Sequence, residues 1–262
     1  GSQLYTRLKK EAAHRVGIEY EVSTFSFCDP LEEVLAKIGQ LNADHRVTGI
    51  IIQKPWRKTW LSVMQEAGAD VSPEDFNQWW QQLVSGLDPA KDVDGLHPST
   101  HQAIQAGTWQ SHGNVLPATV RAVLSILEIA GQGSLPNGRY AVIGKSDLLG
   151  APLAAVLRHQ GKDVVLVGKK ELTERVAEGS ALKDVAVVVT STGQTHLIKG
   201  EWLKEGSIVV DVGEPKPDVD RASLADRPAF LTPVPGGVGP LTVVSLLENA
   251  LHIADTMSYH LV

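Results

Sequence analysis

Gly144-Lys-Ser-Asp-Leu-Leu-Gly150-Ala-Pro152 stands where the apolar run Tyr140-Ala-Val-Ile-Gly144 gives way to a helical pattern. Glycines there let backbone N–H groups approach phosphate oxygens, and the start of the next helix adds unpaired donors, which is what a dinucleotide pyrophosphate needs. Gly144, Lys145, Ser146, Gly150 and Pro152 are therefore candidate phosphate-binding residues. The spacing is not G-x-G-x-x-G, so an αβ turn that holds no nucleotide is the competing reading. The next apolar run, Asp163 to Val167, ends in Gly168-Lys169-Lys170, at the place where an acidic residue accepts the ribose hydroxyls of NAD. Lys169 and Lys170, with Lys145, suit the 2′-phosphate of NADP better, because cations attract that group and a carboxylate repels it. The alternatives are a solvated lysine pair and, since Glu171 follows at once, NAD itself. Ser191-Thr192-Gly193 follows a third apolar run, which makes Thr192 and Gly193 further candidates for cofactor contact, with an ordinary αβ loop as the competing reading. Near the amino end, Tyr5 and Lys9 lie one helical turn apart on one face, an aromatic ring beside an amine; an ordinary surface pair reads the same way.

These groups need elements to hold them. Leu4, Leu8, Ala12 and Val16 recur at helical spacing before Gly17, so residues 2–17 are predicted to form an amphipathic helix. A helix over 31–41 and a β-branched strand over 47–53, ended by Pro55, continue the pattern. Residues 56–87 carry Trp56, Trp60, Trp79 and Trp80 and read as helical elaboration, with Ser72-Pro73-Glu74-Asp75 as a helix start. Leu87 to Leu96 is turn-rich, and Pro117 precedes a helical run over 119–129. Beyond it, short apolar strands at 140–144, 163–167, 185–189 and 207–211 alternate with helix-length segments, the signature of a parallel sheet covered on both faces. Thr232 to Pro240 is expected to be irregular, and residues 242–257 a closing helix.

Composition sets the outer limits. With 262 residues, 43% of them hydrophobic, the chain can build one large domain or two modest ones, and a net charge of -6 gives no overall positive field for nucleic acid or anionic lipid. No apolar run approaches the roughly 20 residues of a membrane span, so neither a nucleic-acid nor a membrane partner is expected. The single Cys28 and the absence of a signal-like start point to a reducing, cytoplasmic setting. The chain opens at Gly1-Ser2-Gln3 already in helical pattern, so residues upstream are expected to have been lost or trimmed.

Several segments, in order along nearly the whole chain, resemble the bifunctional methylenetetrahydrofolate dehydrogenase/methenyltetrahydrofolate cyclohydrolase family. They are Ser2 to Lys10 with Val16-Gly-Ile18, Gly49-Ile-Ile-Ile-Gln53, Lys91-Asp-Val-Asp-Gly95, Val142 to Ser146 with Gly150-Ala-Pro152, Val210-Asp-Val-Gly213, and Thr232-Pro-Val-Pro-Gly-Gly-Val-Gly-Pro-Leu-Thr242. The resemblance implies a two-lobed α/β fold: a catalytic lobe over 1–118 completed by a returning C-terminal helix (242–262), and a Rossmann-like NAD(P)-binding lobe over 119–241. It implies folate in the cleft, NADP with NAD as the alternative, oxidation of methylene-tetrahydrofolate followed by ring-opening hydrolysis, and a homodimer. By the same resemblance Lys9 is the central catalytic residue, Tyr5 stacks on the pterin, Gln53 holds the lysine, and Asp94 accepts hydrogen bonds from the pterin, while Asp92 is structural. Pro235, Gly236, Gly237 and Thr242 belong to a rigid loop that approaches the substrate closely. Taken without the resemblance, Gln53 is a strand-end cap, Asp94 a turn aspartate, and the loop a purely structural one.

The chain also departs from the family pattern. An initial helix and strand are absent, Lys54 stands where leucine is usual and would put a second cation beside the folate, and Lys145 replaces a common arginine. Pro117-Ala-Thr-Val120 keeps only the proline and threonine of its segment. The Trp-rich stretch at 56–87 is longer than usual, and the stretch from 213 to 232 is shorter.

Overall fold

The computed structural model describes residues 2–111, 115–225 and 227–259, and the side chains of 2–4 and 258–259 fall outside that description. Gly1, Leu4 of the helical pattern (as a side chain), and the final residues 260–262 therefore lie outside the described residues. Two compact units emerge: residues 1–102, 113–115 and 246–262 form one, and residues 103–112 and 116–245 the other.

In the second unit, β1 (Tyr140–Ile143), β2 (Val164–Val167), β3 (Val187–Thr190), β4 (Ile208–Asp211) and β5 (Phe230–Leu231) form one parallel sheet in the order β2-β1-β3-β4-β5. Successive side chains of a strand face opposite sides, and here both sides are dry. Tyr140, Val142, Val187, Val189 and Val210 enter a core with α6 (Ala118–Ala130) and α7 (Gly150–His159). Ala141, Ile143, Val188 and Val209 enter a second core with Leu172 of α8 (Lys169–Ala177). Burial on both faces explains why these strands read as unbroken apolar runs instead of alternating ones. The fifth strand, two residues long, is an addition to the four predicted.

The first unit is built from α1 (Ser2–Arg15), α2 (Leu31–Ala43), α3 (Arg57–Glu66), α4 (Pro73–Ser85) and the start of α5 (Pro98–Ala106), a helix that carries no strong pattern in the sequence. Its central core gathers Ile38, Ile50, Trp80, Leu83, Val84 and Leu87. The predicted start of α4 is a full capping box: the Ser72 hydroxyl accepts from the Asp75 N–H, and the Asp75 carboxylate accepts from the Ser72 N–H at 2.8 Å. Trp60 of α3 packs on Phe76 and Trp79 of α4 with ring centroids 5.6 Å away in each case.

Two boundaries differ from expectation for physical reasons. Residues 47–53 form only a parallel bridge, Ile50 with Asp92, because Ile50 N–H to the Lys91 carbonyl (2.7 Å) and Val93 N–H to the Ile50 carbonyl (3.3 Å) are the extent of that ladder among the described residues. The closing helix, α9 (Val238–Tyr259), begins four residues before the predicted Thr242 and takes in Gly239 and Pro240. A proline in the first turn lacks only an N–H that has no intrahelical partner there, so it does not bar the helix.

Candidate active site and dinucleotide cleft

In the first unit, α1 carries Lys9 inward. The residue is 7% exposed, and its Nζ donates to Oε1 of Gln53 at 3.0 Å across 44 residues of sequence. Tyr5, one turn earlier, is half-buried. Asp94 completes the group: burial pushes its carboxyl up from the ordinary range, and the Lys9 ammonium draws it back. Tyr20, a residue that no motif in the sequence flags, faces the same carboxylate, since burial first and the Asp94 charge second push its phenol up.

The turn that presents Asp94 is tightly made. Asp92, 3% exposed, accepts from the Gly95 N–H (3.1 Å) and the His97 N–H (2.6 Å), and its own carboxyl is pushed up to about 6 by burial. Gly95 sits at a φ of +69°, a conformation that side chains other than glycine's resist. Buried Asn249 of α9 donates to the Val93 carbonyl at 2.9 Å, and a Cβ on Gly49 would lie 2.2 Å from Val93 Cγ2, so only glycine lets the Gln53 segment come this close. Lys91 is structural: 4% exposed, it donates to the carbonyls of Leu41 (3.0 Å), Asn42 (2.7 Å) and Asp44 (2.8 Å) and so closes the carboxyl end of α2. Lys54 does not add a free cation beside Gln53; its Nζ lies 4.9 Å from the Trp80 ring centroid, a cation–π contact with α4.

In the second unit the strand order reverses between β1 and β3, and the crevice beyond the carboxyl ends of strands at such a reversal is where doubly wound sheets bind ligands. A cleft of about 390 Å³ lies there, lined among others by Gly144, Lys145, Ser146, Lys169, Ser191 and Thr192. Gly144 has a φ of +109°. A Cβ on Gly150 would stand 1.8 Å from the Gly144 carbonyl, so glycine here is what lets α7 begin against the phosphate loop. Gly150 and Pro152 are buried and shape the loop from behind, while Gly193 is exposed and Lys170 turns to Glu174 at 3.8 Å. None of these four lines the cleft. Lys169 is the first residue of α8, not the end of a strand. The Lys145 ammonium is bonded to the Glu171 carboxylate, which it must leave to engage a phosphate.

Asp218, fully buried, has no motif in the sequence to mark it. Its Oδ2 accepts from the Thr192 N–H at 2.6 Å and from the Thr190 hydroxyl at 2.9 Å, fixing the loop that forms one cleft wall. Of the predicted loop over 232–242, Gly236 has a φ of +100°, a Cβ on Gly237 would meet the Pro233 carbonyl at 2.5 Å, and Pro235 is exposed. The Thr242 hydroxyl donates to the Val238 carbonyl within α9 at 3.1 Å. Among the described residues no group of three or more His, Cys, Asp or Glu could hold a metal ion, and no helix is long and apolar enough to cross a membrane. A glycine-lined crevice with two lysines at a sheet reversal fits a dinucleotide in both shape and charge.

Comparison with known proteins agrees. Residues 117–258 match the family model described as the tetrahydrofolate dehydrogenase/cyclohydrolase NAD(P)-binding domain, and residues 1–75 match that of the catalytic domain. A bifunctional protein FolD of Sorangium cellulosum is 33% identical, with 97% of this chain and 82% of that protein covered. A crystal structure of the Trypanosoma brucei methylenetetrahydrofolate dehydrogenase-cyclohydrolase, complexed with NADP cofactor and inhibitor, superposes with a TM-score of 0.81 at 28% identity, covering 98% of this chain and 83% of that one. The bifunctional enzyme of Campylobacter jejuni gives a TM-score of 0.79 at 29% identity, over 98% and 84%. Motifs, sheet topology and both domain matches converge, and the chain belongs to the tetrahydrofolate dehydrogenase/cyclohydrolase family.

Proposed function

We propose that this chain oxidises 5,10-methylenetetrahydrofolate to 5,10-methenyltetrahydrofolate with NADP and hydrolyses the product to 10-formyltetrahydrofolate. The observation that carries the reading is the hydrogen bond from buried Lys9 to Gln53, with Asp94 close enough to feel the lysine's charge. NADP, when bound, accepts the hydride that leaves the methylene bridge. Gly144, Lys145, Ser146, Lys169 and Thr192 hold its phosphates and ribose, with Gly150, Pro152, Lys170 and Gly193 shaping or flanking the cleft.

In the catalytic unit the Asp94 carboxylate accepts hydrogen bonds from the pterin N–H groups, and Tyr5 packs against the ring. Gln53 fixes the amine of Lys9, which directs the attacking water to the methenyl carbon and stabilises the negative charge that gathers on its oxygen. Water adds to the methenyl carbon and gives one proton to solvent; the C–N5 bond then breaks as the remaining hydroxyl proton passes to N5, which leaves the formyl group on N10. The enzyme works as a homodimer in the cytoplasm; the family resemblance supports the first assignment, and the lone, exposed Cys28 suits the second.

Absorbance at the NADPH band with methylenetetrahydrofolate and NADP, followed by decay of the methenyl product, tests the proposal. Both signals are expected. Absence of the first rejects the dehydrogenase, and methenyl decay no faster than in buffer rejects the cyclohydrolase.

A further inference from the structure

Beside the cleft lining at the end of β2, Lys145 meets a carboxylate. Glu171, the third residue of α8, turns its carboxylate back over the helix start, and Oε2 accepts from the Gly168 N–H at 3.1 Å. Its other oxygen takes the Lys145 ammonium, which arrives from the β1 loop. The three residues crowd one another: a Cβ on Gly168 would meet Glu171 Oε2 at 2.7 Å and Lys145 Cε at 2.9 Å. The Lys145 hydrogen bond holds the Glu171 carboxyl below its usual range, so it is ionised at neutral pH. Although Glu171 lies four residues beyond the end of the strand, this fold-back returns a carboxylate to the place where a doubly wound sheet reads the ribose of an adenine dinucleotide.

We propose that Glu171 sets the choice between NAD and NADP: with Lys145 in its grip it accepts the ribose 2′-hydroxyl of NAD, and it yields Lys145 to the 2′-phosphate when NADP binds. The inference rests on the dinucleotide reading of this cleft. Its consequence is an enzyme that takes both cofactors with limited discrimination, because the phosphate must displace a carboxylate from its cation and then lie close to that carboxylate. Lys169 adds a second cation to the lining of the same cleft.

Glu171→Gln isolates the charge, because glutamine also serves at the third position of a capping box and keeps the Gly168 bond. Calorimetric titration of the purified wild type and of this variant with NADP and with NAD gives the ratio Kd(NAD)/Kd(NADP). The ratio is expected to rise at least about fivefold in Glu171→Gln, the size of a charge effect at a partly exposed site. Lys145→Gln, which leaves the cap alone, is expected to lower the ratio. An unchanged ratio in either variant overturns the proposal. Wild type that binds neither dinucleotide overturns the reading beneath it as well, and the two failures are thereby told apart.

Discussion

Asp218 shows how much of a cleft wall can rest on one buried side chain outside the cleft lining. It is completely buried, and its Oδ2 holds both the Thr192 N–H and the Thr190 hydroxyl, so the backbone after β3 has its position set by a carboxylate 26 residues further on. Removing a hydrogen bond to a charged group costs about 1.5–3 kcal/mol. Asp218→Ala is therefore expected to raise the KM for NADP by roughly 10- to 100-fold, while methenyl hydrolysis, which consumes no cofactor, changes much less. Asp218→Asn keeps an oxygen for Thr192 and should fall between the two; steady-state kinetics of all three proteins checks the order. Lys9 and Asp94 are coupled in a different way: charge and burial, not a ladder of backbone bonds, define their environment.

At the scale of elements, the Lys-Asp-Val-Asp-Gly segment divides its labour. Lys91 closes α2 through three carbonyls, Asp92 and Gly95 make the turn, and Asp94 is left to face Lys9. Lys91→Met preserves the stem but strands the carbonyls, and is expected to lower stability by about 2–3 kcal/mol in a urea titration followed by circular dichroism; a midpoint unchanged within error would show that solvent satisfies the helix end. The second unit was readable from sequence because strands buried on both faces give continuous apolar runs and each ends in a turn with its own chemistry. The segment over 47–53 misled, since β-branched residues suit a strand but pairing needs a neighbour, and here the ladder stops at Ile50 and Asp92. The start of α9 misled in the opposite sense, because Gly239 and Pro240 look like helix breakers and yet occupy the one turn that tolerates them. Grouping Tyr5, Lys9, Gln53 and Asp94 required the resemblance: spacing alone placed Tyr5 by Lys9, while 44 residues separate Lys9 from Gln53. Tyr20, Asn249 and Asp218 have no local signature at all, as each works through a contact made only by the folded chain.

For the molecule as a whole, an acidic chain of net charge -6 still places Lys145 and Lys169 in the lining of the cleft at the sheet reversal, with Glu171 bonded to the first of them. The two units divide the chemistry: glycine turns and lysines in one, the amine, amide and carboxylate in the other. Substitution of Lys9 tests that division most directly. In Lys9→Met, methenyl hydrolysis followed by absorbance is predicted to drop by two orders of magnitude or more, the scale of losing a group that stabilises developing charge, while calorimetry shows NADP bound as in the wild type. Hydrolysis within a fewfold of wild type would contradict the account.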